Sequence, residues 1–70
     1  MNEMQTRRLW VAYGPSGAVG TIEKSGDDGY AVKMAGADAS LGTYPSMEVA
    51  KNALYSQLKP GSDWPEFREH

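Results

Sequence analysis

The sequence predicts an α+β domain: a three- or four-stranded antiparallel β-meander, one C-terminal α-helix packed on one face, and a docked aromatic tail. Three observations predict it. Strand-forming segments separated by glycine-rich turns fill residues 8–44; one capped amphipathic segment follows at 46–59; and Trp64 and Phe67 stand in what would otherwise be linker. Seventy residues make a single domain, 1–70, which buries only about 60% of the surface its unfolded chain exposes. A deep pocket and a core compete for that interior, so function is expected on the surface or at an interface.

Residues 1–6 are polar and uncapped, which predicts a frayed start. Arg8 to Tyr13 (RLWVAY) reads as the first strand, ended by the turn signal Gly14-Pro15-Ser16-Gly17. Val19 to Lys24 and Tyr30 to Ala35 alternate well enough for a hairpin around Gly26-Asp27-Asp28-Gly29. A three-residue loop Asp27-Asp28-Gly29, with Gly29 in the left-handed position, puts Gly26 opposite Tyr30. Ile22 then faces Met34, Lys24 faces Val32, and Glu23 faces Lys33 as a cross-strand charge pair on the other side. Tyr30, Val32 and Met34 share the core face in this register. Ser40 to Tyr44 reads as the last strand, with Leu41 and Thr43 inward and Gly42 and Tyr44 outward if Leu41 pairs with Met34.

Ser46 is a good helix N-cap, with Glu48 in the first turn at the positive end of the dipole. Met47, Ala50, Ala53, Leu54, Gln57 and Leu58 form one stripe of the helix, and Pro60-Gly61 ends it. In the tail, residues 60–70, Asp63 could cap a single turn that carries Trp64 and Phe67 onto the body, leaving the last two or three residues frayed. Leaving two such rings in water costs roughly 1.5–3 kcal/mol each.

Composition narrows the function classes. The chain has no cysteine, which removes disulfides, thiolate metal sites and cysteine nucleophiles and suits a reducing compartment. No stretch approaches the roughly 20 apolar residues that span a bilayer, and residues 1–6 lack a signal-peptide core. A cytoplasmic location without a membrane partner is expected. The net charge is −2, with acids and bases interspersed, so the basic stripe usual in nucleic-acid binders is missing.

The motifs that could carry chemistry each have a plainer reading. Gly14 to Gly20 has the spacing G-x-x-G-x-x-G, but it lacks both the dinucleotide fingerprint and the P-loop lysine and leads into a strand, so a hairpin turn is expected. A GXXG clamp of the KH type is the remaining alternative, although that loop joins helices and is usually basic. Asp27-Asp28 has no spaced partners to complete a shell of about six oxygens, so a solvated turn is expected and no metal. His70, the single histidine, is expected in solvent at the C-terminus, and the serines have no internal base. The expectation is a non-enzyme with no catalytic residues and no cofactor.

The outward sheet face is the more informative surface. With Val11 inward, Trp10 and Ala12 face outward near Thr21, Glu23, Lys33 and Tyr44. Arg8, Trp10, Lys33 and Tyr44 are then the candidate partner-binding residues, since aromatics and arginine are favoured at hot spots and can also stack bases. Two plainer readings compete: Trp10 turned into the core, or the tail folded over this face.

Thr43-Tyr44-Pro45-Ser46, followed by Glu48, Ala50, Ala53 and Leu54, resembles the strand-to-helix joint of small uncharacterised bacterial sheet-plus-helix families and, loosely, of the arm-type DNA-binding domains of tyrosine recombinases. The likeness covers residues 20–58. It implies DNA contact through the outward strand residues Arg8, Trp10, Lys33 and Tyr44, while Glu23 in that face and the overall acidity depart from the pattern. The start at Met1 and the Trp64-Pro65-Glu66-Phe67 tail suggest a stand-alone protein. Together these readings predict a non-catalytic interaction or accessory module, contacting a protein partner or a second copy through the open sheet face or an edge strand. The alternative is a nucleic-acid-binding module using that same outer face.

Overall fold

A computed structural model describes residues 8–24 and 29–70. Among these residues five strands and one helix follow one another: β1 (Arg8–Gly14), β2 (Gly17–Lys24), β3 (Tyr30–Met34), β4 (Gly42–Tyr44), α1 (Met47–Ser56) and β5 (Glu66–Glu69). The strands form one antiparallel sheet in the order β4-β3-β2-β1-β5. This is the expected α+β architecture, with the tail supplying a fifth strand. Residues 1–6 and the Asp27-Asp28 part of the predicted loop lie outside the described residues.

Gly14-Pro15-Ser16-Gly17 forms the turn between β1 and β2, with Gly17 at φ 118°. The pairing slips by one residue between Ala12 and Tyr13, so that Val19 is the extra residue of a β-bulge. Within the glycine-rich run, Gly17 to Gly20 therefore belong to a strand. Ala37 N–H donates to Met34 O at 3.1 Å around Gly36, which has φ 81° and closes the turn after β3.

The β2–β3 register differs from the predicted one by two residues: Lys24 pairs with Tyr30, Ile22 with Val32 and Gly20 with Met34. A slip of two preserves faces, so Ile22, Val32, Tyr30 and Met34 still share the core side. Glu23 now lies opposite Ala31 and Lys33 opposite Thr21, which removes the predicted charge pair. Two strands have the opposite phase from the one expected. In β1, Trp10 pairs with Ile22 and Ala12 with Gly20, so these turn to the core and Val11 turns away. In β4, Tyr44 pairs with Tyr30 and packs against the core while Thr43 faces the other side.

Ser46 caps α1 in extended geometry (φ −144°, ψ 161°), its Oγ accepting from Val49 N–H at 3.2 Å. The helix ends three residues earlier than expected, where Gln57 N–H and Leu58 N–H turn back to Leu54 O and Tyr55 O. It lies across β3, β4 and β2 with Ala50 and Leu54 fully buried. The core comprises these two with Ala12, Ile22 and Val32. Small residues let helix and sheet meet closely: a Cβ built on Gly20 would stand 3.0 Å from Leu54 Cδ1.

Beyond α1 the chain crosses to the far edge of the sheet. Tyr55 Oη donates to Ser62 O at 2.8 Å, and the Tyr55, Trp64 and Phe67 rings follow with centroids 4.9 and 6.1 Å apart. The predicted single turn is absent here, because Glu66 to Glu69 pair with Tyr13 to Trp10 as β5. Arg68 and Glu69 are held in this ladder instead of fraying, and His70 N–H donates to Leu9 O at 2.8 Å. The aromatic cluster is not buried: Trp64 is 51% exposed.

Candidate functional site

Alternation along five paired strands defines two surfaces. On the helix side, one end of the sheet extends past the buried core and carries Arg8, Trp10, Lys24, Tyr30 and Tyr44. Trp10 and Tyr30 are 6.0 Å apart at an interplanar angle of 46°. Arg8 Cζ lies 4.9 Å from the Trp10 ring centroid and Lys24 Nζ lies 5.7 Å from that of Tyr30. Arg8 also forks onto Glu69, with Nε donating to Oε2 at 2.7 Å and Nη2 to Oε1 at 2.9 Å. That hydrogen bond and the attached charge hold the Glu69 carboxyl below its ordinary pKa and raise that of the Arg8 guanidinium.

Three of the four predicted partner-binding residues therefore fall on the helix side: Arg8, Trp10 and Tyr44. Lys33 alone points to the other face, where it is exposed. The expected quartet on one flat face does not form. Its premise was the phase of β1 and of β4, and both strands are turned over. Trp10 packs on the core, which is one of the two plainer readings the sequence leaves open.

No described element covers the second surface, the sheet face turned away from α1. Leu9 and Val11 of β1 and Ala31 of β3 lie on it, all partly buried. Thr21, Glu23 and Lys33 lie beside them. Toward β5, Tyr13 Oη is hydrogen-bonded to His70 Nε2 at 2.9 Å, and Arg68 Cζ lies 5.9 Å from the Tyr13 ring. Arg68 Nε also donates to Glu66 Oε2 at 3.0 Å. His70 is exposed as expected, yet it is held by both its backbone and its ring. Composition alone carried one signal of this surface, in that β1 is apolar in both phases.

Hollows open between the described residues at two places. One of about 340 Å³ lies between the β1–β2 turn and the segment after α1, with Val19, Leu58, Pro15 and Pro65 as its apolar walls and Lys59 and Asp63 beside them. The other, of about 290 Å³, is a shallow groove along Gly20, Thr21, Lys33 and Met34. Ser16 and Ser62 border the first hollow, which no histidine lines. Among the described residues no three His, Asp or Glu side chains are grouped to hold a metal ion, and no helix is long and apolar enough to cross a membrane. Compared with known proteins, the chain matches no family model, no curated protein and no solved structure.

Proposed function

We propose that the chain is a non-catalytic protein-interaction module that makes contact through the sheet face turned away from α1. One observation carries the reading: Leu9 and Val11 form an apolar stripe along β1 on a face that no described element covers, with Glu23, Thr21 and Arg68 beside it and Ala31 and Lys33 one strand further out. An apolar centre with a charged rim is the anatomy of a protein interface. The basic groups support a protein over a nucleic acid. Arg8 and Arg68 are both closed onto carboxylates, Glu69 and Glu66, and a phosphate would have to displace those partners.

Amide-shift mapping of the isotope-labelled chain tests this, first with duplex and single-stranded DNA at low salt and then with fractionated cell extract. The expected result is silence with DNA, and extract-dependent shifts at Leu9, Val11, Thr21 and Ala31 that disappear in Val11→Glu. Binding of DNA at low salt that weakens steeply with added salt would overturn the proposal in favour of a nucleic-acid module. Extract-dependent shifts confined to Trp10, Tyr30 and Tyr44 would move the contact surface to the helix side and refute it equally.

A further inference from the structure

We propose that the edge of β5, unpaired among the described residues, pairs with β5 of a second copy, antiparallel and in a register centred on Phe67. β5 is an edge strand. The bond from His70 N–H to Leu9 O sets the alternation of the β1–β5 ladder: residues 66, 68 and 70 turn their backbone groups to β1. Phe67 and Glu69 accordingly present N–H and C=O to the outside. Centred on Phe67, the two copies exchange a reciprocal pair of Phe67 bonds. Glu69 of each copy falls opposite Pro65 of the other, which has no N–H to offer the Glu69 carbonyl.

The side chains select this register. Glu66 and Arg68 share the face turned away from α1. Centring on Phe67 sets Glu66 of each copy opposite Arg68 of the other, two favourable cross-strand pairs. Centring on Glu66, Arg68 or Glu69 sets a like-charged pair face to face. Edge strands are commonly blunted by being short and charged; β5 is both, but its alternating signs make it self-complementary. Within one copy Arg68 and Glu66 already bond to each other at 3.0 Å, so exchanging partners adds little attraction and acts mainly to exclude the wrong registers. A four-residue strand covers far less than the roughly 800 Å² per partner of a standard interface, so the dimer is weak and concentration-dependent. The backbone bonds of the dimer lie along the β5 edge while the apolar stripe lies on β1, so dimerisation is read by sedimentation and partner binding by amide shifts at Leu9 and Val11, although Arg68 borders both.

Sedimentation of the intact chain over a concentration series is the test, with Glu66→Arg, Arg68→Glu and an equimolar mixture of the two variants. The wild type should dimerise at the upper concentrations. Each variant alone should weaken the dimer about tenfold or more, because like charges then oppose like at both pairs. The mixture should restore association as a heterodimer, in which the arginines of one variant meet the glutamates of the other; this recovery also excludes misfolding as the cause of the losses. A wild type that stays monomeric throughout, variants that dimerise as the wild type does, or a mixture that fails to associate would each overturn the proposal.

Discussion

Replacing Gly20 with alanine measures how closely α1 is seated on the sheet. The new Cβ would stand 2.9 Å from Lys33 O and 3.0 Å from Leu54 Cδ1, where non-bonded heavy atoms prefer about 3.5–4.0 Å. Lys33 O is backbone of β3, the strand paired to β2, and cannot retreat by about half an ångström without stretching that ladder. Leu54 is fully buried and has little room to turn aside. Overpacking of this kind costs about 1–3 kcal/mol. One effect opposes it: Gly20 has no left-handed φ, so alanine restricts the unfolded chain and returns about 0.4–1 kcal/mol. The clash wins, leaving a net loss of about 1–2 kcal/mol. A chain of this size has about 3.5–10 kcal/mol in total, and with a urea slope of about 1 kcal/mol/M the midpoint should fall by about 1–2 M. Trp10 and Trp64 provide the fluorescence signal. Leu54→Ala should cost about 2–5 kcal/mol by itself, but it vacates space beside Gly20, so Gly20→Ala should cost less in that background than in the wild type. A Gly20→Ala midpoint at or above the wild-type value, or equal costs in both backgrounds, would refute the seating of Leu54 on Gly20.

Gly29→Ala should destabilise more than Gly36→Ala in the same urea experiment. Both positions have positive φ, 99° and 81°, but a Cβ at Gly29 would also meet Tyr44 O at 2.7 Å whereas Gly36 faces open space. Left-handed strain alone costs about 1–2 kcal/mol. Because Arg8 depresses the Glu69 pKa, the wild type should exceed Glu69→Gln in stability at neutral pH. That difference should fade as pH falls below the ordinary glutamate value of about 4.3 and through the lower folded-state value. Both side chains are exposed, so it should be small and should shrink with salt. Val11→Lys should leave a cooperatively folded protein, while Ala12→Lys should abolish the near-ultraviolet circular dichroism signal, because Ala12 is fully buried and offers a lysine no partner.

How far the sequence disclosed the structure can be traced strand by strand. The β2–β3 hairpin was legible because Ile22, Tyr30, Val32 and Met34 alternate with polar residues, and its two-residue slip of register left every face intact. β1 was not legible in phase, since Leu9-Val11-Tyr13 and Trp10-Ala12 are both apolar sets and Val11 is the more usual core residue than Ala12. What decides between them is space: Ala12 lies opposite Gly20, where Leu54 comes down, and a small side chain is what that position admits. β4 was misread for a related reason, because Gly42 reads as an outward spacer yet pairs with buried Val32, which brings Tyr44 to the core side. β5 carried a signal in Glu-Phe-Arg-Glu, one apolar residue alternating with charges, but four residues after a proline are too few to separate a strand from a turn. The candidate site moved with the phases: Lys33 kept its face, and Arg8, Trp10 and Tyr44 changed theirs.

That β1 is apolar in both phases is also the link between the two proposals. A sheet covered on one face by a single ten-residue helix should present polar residues on the other, and β2 to β4 comply with Thr21, Glu23, Lys33 and Thr43, apart from the small Ala31. Only β1 places Leu9 and Val11 there, and β1 is the neighbour of the edge strand β5. Pairing two β5 edges about an axis perpendicular to the sheet would put both uncovered faces on the same side. With strands about 4.8 Å apart, the two β1 stripes would lie three spacings, or about 14 Å, from one another, on either side of the Glu66 and Arg68 charges. A partner long enough to span both stripes would then bind the dimer more tightly than the monomer through effective concentration alone. Val11→Glu should abolish partner binding, and because Val11 lies opposite Arg68 the new carboxylate competes for that arginine and should weaken the self-association only slightly. Arg68→Glu should weaken self-association about tenfold or more and, by loss of the dimer and of one rim charge, weaken partner binding without abolishing it, so that the larger loss falls in a different assay for each variant.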